Sequence, residues 1–420
     1  MKIFKFGGAS INSAERFINT GNIIESYKGE KILIVISALG KTTNALEEIV
    51  QMFFKREKEN ALSHFNKLKE YHTEILRRLT EDSFKDAINQ LNEFFTEIEW
   101  LLNDNPVRNY DYYYDQIVCC GELMSSSILF HHLNEKKINC TWMDVRDIIR
   151  TDNNFRDASI DWNFTENRIK ESISPLFNHH DIIITQGFIG STDENESTTL
   201  GREGSDYSAA IFANLLDADS VTIWKDVDAV MSADPKKYPD ASIIHALSYS
   251  EVIEMAYYGA QVIHPKTIKP LQNKNIPLLV KSFLNKDLEG TIISKNTIKN
   301  LPPIIVHKGN QVLIKFKSKD FSFVEDRPVQ QLHETFNQVK IKPNLSQHTA
   351  ISLLCCFDDH PEKINQLASL AENIFNVEVE KNLTLLTIRH YNKEVVDKLT
   401  GEAIILLEQK TTETIQLVMR

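Results

Sequence analysis

Along most of the chain, short apolar runs alternate with longer amphipathic stretches. Lys2 to Phe6 reads as a strand and Ser13 to Tyr27 as a helix. Lys31 to Ser37 (KILIVIS) is a continuous β-branched run, the pattern of a strand buried on both faces. From Thr42 to about Asn103 charged residues alternate with Leu, Phe and Ile at helical spacing, and Asn103-Asp104-Asn105-Pro106 ends the run. This predicts a helical insertion over about residues 42–104. A helix over Tyr112 to Leu133 and a strand over Cys140 to Val145 follow. Asp181 to Thr185 and Ser220 to Trp224 are further buried-type strands, separated by a helix that starts near Ser205. Such alternation predicts an αβα sandwich with a mostly parallel sheet.

Past Leu301-Pro302-Pro303 the pattern changes. Gln311 to Lys317, Thr384 to Arg389 and Thr414 to Val418 alternate apolar and polar residues, as half-solvated strands do. Between them lie amphipathic helices over Pro328 to Phe336 and Pro361 to Phe375, and a brief one over Lys393 to Leu399. We therefore expect a larger α/β domain over residues 1–298 and a smaller α+β region over 304–420, with the boundary at 295–305. No repeat of fixed period is visible.

Composition narrows the function classes. The 420 residues carry 47 Lys and Arg against 58 Asp and Glu, a formal charge of −11 that argues against nucleic acid as a partner. No run of apolar residues is long enough for a membrane span, and charge and glycine interrupt MKIFKFGGAS before a secretory core can form. The five cysteines form no CxxC and no spaced ligand set, and two pairs are sequence neighbours. We expect a reduced, cytoplasmic chain without a resident metal site.

Glycine is scarce, 14 in all, and clusters at the ends of predicted strands. Lys5-Phe6-Gly7-Gly8-Ala9-Ser10 places a cation before two glycines and a helix start, an arrangement that exposes amides to an anion. An ordinary strand–helix turn with a solvated lysine fits the same residues. Ser37 to Asn44 (SALGKTTN) again follows a buried strand, where ligands of open α/β sheets bind, although Thr42 or Thr43 also suits a helix cap. The third cluster runs from Gly187-Phe188-Ile189-Gly190 to Gly201-Arg202-Glu203-Gly204-Ser205-Asp206. Here Arg202 can fork a carboxylate and Ser205 can add a donor. Asp206 either complements the helix dipole or orients Lys5. Three such loops together point to a site that handles phosphate.

These segments resemble aspartate kinase, a member of the amino acid kinase superfamily. The resemblance rests on KFGGAS, VISALGKTTN, GELMSS, TLGREGSDYSAA, IWKDVDAVMSADP and MAYYGAQVIHPKTI, in family order through about residue 295. It implies a carboxylate phosphotransferase that uses ATP, Mg²⁺ carried on the nucleotide phosphates, and L-aspartate. By resemblance, Lys5 with Gly7 and Gly8 serves the transferring phosphoryl group, and Asp206 organises Lys5. Arg202 takes the aspartate α-carboxylate and Glu122 its ammonium, while Ser37, Thr43 and Ser205 line the pocket. Lys225, Asp226, Met231, Asp234, Lys236 and Gln261 fall on the nucleotide side with Lys5 and Gly8.

The chain departs from the family at Glu203, usually glycine; Lys225, usually a small hydroxyl residue; Met231, usually Tyr; Lys236, usually Arg; and Gln261, usually Lys. The extra charge at Glu203 weakens anion binding unless its side chain turns outward. These departures motivate an alternative, a catalytically weak relative that binds amino acid or nucleotide for regulation. The resemblance extends to a C-terminal ACT-like (ferredoxin-like) region, implying a homodimer. Lys319-Asp320-Phe321-Ser322-Phe323 lacks the glycine of the family's effector loop, which implies weak or lost feedback inhibition. The end at Arg420 leaves no room for a fused homoserine dehydrogenase, so a monofunctional enzyme is expected.

Overall fold

The computed structural model describes residues 1–320, 323 and 326–420. Two of the five effector-loop residues, Phe321 and Ser322, lie outside the described residues. The chain forms two compact units. The first comprises Met1–Val230, His245–Ile253 and Val262–Ile298; the second comprises Met231–Ile244, Glu254–Gln261 and Lys299–Arg420. The chain thus passes between the units several times, and a single cut at 295–305 does not describe it.

The first unit is built on an eight-stranded sheet. Its order is Ala246–Ser248, Thr291–Ser294, Leu278–Ser282, Ser220–Lys225, Lys2–Phe6, Ile32–Ile36, Ile182–Gln186 and Cys140–Trp142. The six strands from Leu278–Ser282 to Cys140–Trp142 are mutually parallel, and Thr291–Ser294 turns antiparallel. Every residue of Ile32–Ile36 is fully buried, as its unbroken apolar run requires. Phe6 stacks on Trp224 in the neighbouring strand at 5.9 Å between centroids. Parallel pairing matters for function: Phe6 lies opposite Ile36 and Trp224, and Ile36 opposite Gln186, so these strands end together on one sheet edge.

The expected insertion is three helices, Thr42–Phe54, Lys58–Leu79 and Phe84–Asn103. The helix expected over Tyr112 to Leu133 is two, Tyr110–Val118 and Cys120–Glu135. The strand expected to reach Val145 stops at Trp142, and a 3₁₀ turn spans Val145–Asp147. Among the described residues no helix is long and apolar enough to cross a membrane, and all five cysteines are free.

The second unit carries a six-stranded antiparallel sheet, in the order Leu345–His348, Ser352–Asp358, Ile304–Ser318, Phe375–Arg389, Thr414–Met419 and Ile405–Lys410. Helices Asp326–Val339 and Pro361–Ala371 bury Leu332, Phe336, Ile364 and Leu367 against Val312, Ile314 and Phe316. Helix Lys393–Thr400 packs Val395, Val396 and Leu399 against Leu386, Ile388, Ile415 and Leu417. This is the α+β architecture expected of the C-terminal region. The helix from Pro361 ends at Ala371, four residues early, because Phe375 opens a strand of 15 residues.

Candidate active site

The strand ends of the first unit surround a cavity of about 560 Å³. Strand Lys2–Phe6 runs into Gly7-Gly8, and a 3₁₀ turn over Gly8–Ile11 separates those glycines from helix Ala14–Glu25. The helix start therefore stands off from the glycine pair that was expected to use its dipole. Gly8 is required by close approach. A Cβ there would fall 2.7 Å from the Ala38 carbonyl and 2.9 Å from that of Gly40, while the Gly40 amide donates to the Gly8 carbonyl at 3.1 Å. The first two ligand loops are thus one backbone assembly.

Lys5 reaches across to the third loop. Its Nζ lies 2.7 Å from Asp206 Oδ1, with only 11% and 6% of the two side chains exposed. Asp206 sits in the first turn of helix Gly204–Leu215, which Gly187 allows to approach: a Cβ on Gly187 would lie 2.6 Å from Ser205 Cβ. Burial pushes the Asp206 carboxyl up, but the charges of Lys5 and Lys225 with the Lys5 hydrogen bond prevail and hold it below the usual carboxylate range. Lys225, at the end of its strand, also donates to the Val262 carbonyl at 2.6 Å.

Glu122 has the opposite electrostatics. It lies in the first turn of helix Cys120–Glu135, 3% exposed, and its Oε2 has no hydrogen-bond partner. Burial pushes its carboxyl up to about 8, against the Ala38 amide and the Lys5 charge, which pull it down. A buried carboxyl with an open oxygen suits a cationic ligand. Ser125 Oγ donates to the Ser37 carbonyl at 2.6 Å, tying this helix to the second loop. Thr42 is fixed from the insertion: its hydroxyl donates to His72 Nε2 at 3.3 Å, and His72 Nδ1–H donates to the Leu68 carbonyl at 2.8 Å. Burial lowers His72 to about 4, which keeps the ring neutral for this role.

Lys5, Gly8, Ser37, Thr43, Glu122, Arg202, Ser205, Asp206 and Lys225 all line the cavity. Gly7 does not, although a Cβ there would sit 3.4 Å from Lys5 Nζ. Asp226 is exposed and is not among the lining residues. Met231, Asp234, Lys236 and Gln261 belong to the second unit, where Asp234 Oδ1 accepts from the Lys236 amide at 3.0 Å. Glu203 borders the cavity, but its Oε2 accepts from the His264 amide at 3.0 Å, so the carboxylate is engaged at the start of helix Pro265–Lys274.

Sequence reasoning missed Tyr114 and Arg156 as lining residues, and gave no separate role to Phe188 and Thr199, which fall within the third cluster. It also missed Asp115, wholly buried, whose carboxylate accepts from the amides of Arg156 at 3.0 Å and Thr199 at 2.8 Å and from the Thr199 hydroxyl at 2.7 Å. Its burial raises the carboxyl to about 6 despite these donors. An acid on a buried helix face was the available signal.

Residues 1–282 match the Amino acid kinase family. The bifunctional aspartokinase/homoserine dehydrogenase 2 of Arabidopsis thaliana is 35% identical over 297 residues, covering 69% of this chain and 32% of that protein. The chain thus spans about a third of the length of such bifunctional relatives. The lysine-sensitive aspartokinase 3 of Escherichia coli is 31% identical over 322 residues, covering 75% of this chain and 69% of the relative. The crystal structure of E. coli aspartokinase III in complex with aspartate and ADP superposes with a TM-score of 0.80 at 25% identity, covering 100% of this chain and 96% of that one. With the glycine loops, the buried Lys5–Asp206 pair and these matches in hand, the chain belongs to the amino acid kinase family and, within it, to the aspartokinases.

Proposed function

We propose that the chain transfers the γ-phosphoryl group of ATP to the side-chain carboxylate of L-aspartate, giving ADP and 4-phospho-L-aspartate. One observation carries this reading: a single cavity holds a buried Lys5–Asp206 pair, a carboxyl at Glu122 with one oxygen unpartnered and a guanidinium at Arg202. Those groups match the phosphoryl group, the ammonium and the α-carboxylate of an amino-acid acceptor. The E. coli relative crystallised with aspartate and ADP supports the same pair of ligands.

The chemistry asks little covalent work of the protein. A carboxylate oxygen forms a bond to Pγ as the bond from Pγ to the β,γ-bridging oxygen breaks, and no proton need move. Positioning and charge neutralisation therefore dominate. In this reading Lys5, helped by Gly7 and Gly8, neutralises charge on the phosphoryl group, and Asp206 holds Lys5 in place. Arg202 and Glu122 fix the two polar ends of the amino-acid backbone, with Ser37, Thr43 and Ser205 along the pocket wall. Lys225 and Asp226 face the nucleotide, and the resemblance also implies a nucleotide-binding role for Met231, Asp234, Lys236 and Gln261. Mg²⁺ would arrive on the nucleotide phosphates.

We further propose a cytoplasmic enzyme at the entry to lysine, threonine and methionine synthesis, dimerising through an ACT-like region over residues 304–420. The test is ADP release in a coupled assay. L-aspartate should stimulate it, while glutamate, acetylglutamate and UMP should not. No stimulation by aspartate in a folded, ATP-binding chain would leave the regulatory relative as the better description.

A further inference from the structure

We infer that Arg156 is a second guanidinium for the α-carboxylate of the amino-acid substrate, acting beside Arg202 as a specificity-determining residue. The inference rests on the aspartate reading above.

Arg156 stands at φ 72°, in the left-handed region that costs a bulky side chain energy and that glycine adopts freely. The backbone shape itself has a structural purpose, since it delivers the Arg156 amide to buried Asp115 at 3.0 Å. Glycine would serve that purpose with less strain. A strained arginine at the rim of a ligand cavity instead draws attention to what its side chain does there.

Its present partners leave the guanidinium largely available. The ion pairs, 3.3 Å to Asp111 and 3.5 Å to Glu47, are long and half-exposed, the kind that contributes little to stability. The guanidinium stacks on Tyr114 at 4.3 Å, and a planar fork held against an aromatic face keeps its remaining donors directed. Tyr114, Arg156, Glu122 and Arg202 all line the same cavity. An α-ammonium and an α-carboxylate share one carbon. In this proposal a ligand whose ammonium meets Glu122 turns its α-carboxylate to Arg156 and Arg202, which line the same cavity. The neighbouring loop is built to the same place: the Ala158 amide donates to the Thr199 carbonyl at 3.0 Å, and a Cβ on Gly201, the residue before Arg202, would fall 3.3 Å from the Arg156 carbonyl.

Arg156→Gly tests this without a folding penalty from the backbone, because glycine suits φ 72°. The expected result is a rise of about tenfold or more in the aspartate KM, with the ATP KM within about twofold and the melting temperature near wild type. Arg156→Gln, which keeps the stem and loses the charge, should show the same KM change. L-aspartate 1-amide, which lacks the α-carboxylate, supplies the discriminating readout by calorimetry: its weaker binding should be the same in wild type and Arg156→Gly. An unchanged aspartate KM in both variants, or equal loss of affinity for aspartate and its 1-amide, overturns the inference and leaves Arg156 as a loop anchor. A wild-type chain that neither binds nor phosphorylates aspartate overturns the reading itself.

Discussion

Glu122 offers the sharpest test of the site, because its burial makes a quantitative statement about pH. Its carboxyl is pushed up to about 8 in the ligand-free protein, so at pH 7 only about a tenth of the molecules carry the charge that an ammonium would meet. Binding must first remove the proton. The apparent dissociation constant for aspartate is then raised over its limiting value by about 100-fold at pH 6, about 11-fold at pH 7 and about twofold at pH 8. The aspartate KM should thus fall about 50-fold from pH 6 to pH 8. Calorimetry at pH 7 in buffers of different ionisation enthalpy should report release of about 0.9 proton per aspartate bound. Glu122→Gln should bind aspartate more weakly at pH 8 and show neither effect. Stability gives an independent check with its own sign. A carboxyl raised from 4.5 to about 8 contributes stability that is present below about 4.5 and lost as pH rises through about 8. Ligand-free Glu122→Gln should therefore gain melting temperature over wild type as pH goes from 5 to 9. A wild-type KM that is flat between pH 6 and 8, with no proton release, would refute the ammonium role.

Lys5→Ala should lower kcat by about 10²–10³, and it also strands buried Asp206, so the double variant with Asp206→Asn should recover stability but not turnover, as melting curves and single-turnover assays will show. Arg202→Ala should raise the aspartate KM with the ATP KM much less affected, and Arg202→Lys should restore only part, since an ammonium cannot form the fork. Sedimentation should find a homodimer that is lost on truncation at residue 304, and lysine or threonine should inhibit weakly; strong inhibition by either at sub-millimolar concentration would contradict the loop reading.

Much of the site was legible because its chemistry lies in short segments at strand ends. Lys5, Gly8, Ser37, Thr43, Arg202 and Asp206 each adjoin a glycine-bearing loop that a buried strand leads into, and parallel pairing brings those ends together. Arg156 lacked such a signal. Arg156 lies on an irregular loop, and its place depends on a hydrogen bond to Asp115, 41 residues away. The boundary at Cys119 was invisible for another reason. From Cys120 to Leu133 all but Phe130 are buried, polar residues such as Glu122 and Ser125 included, so helix Cys120–Glu135 has almost no solvent-facing stripe whose phase could mark the break. The strand starting at Phe375 was hidden in the same way. Ala371 ends the helical spacing, but no proline or glycine separates it from Phe375, so the apolar series reads on as helix.

Glu203 shows how a departure from a family pattern can be absorbed locally. The position has φ 55°, which glycine adopts without strain and glutamate does not. The side chain then brings a negative charge to a cavity meant for anions. Both costs are partly offset by one contact, the hydrogen bond from the His264 amide to Glu203 Oε2. The helix that begins at Pro265 has its positive end there, and a carboxylate in that position is favoured by the dipole. The same helix is joined to Gly204–Leu215 where Asn214 Nδ2 donates to the Pro270 carbonyl at 2.8 Å. Glu203 thus ties the loop carrying Arg202 and Asp206 to a second helix, and its charge is spent at that helix start. Lys225 acts in the opposite sense. It adds a cation whose charge, with that of Lys5, holds Asp206 ionised. With the Glu203 carboxylate engaged at a helix start and the Lys225 charge acting on Asp206, the two substitutions are less adverse to a phosphate ligand together than either suggests when read singly, which argues for the aspartate kinase proposal over a catalytically weak relative.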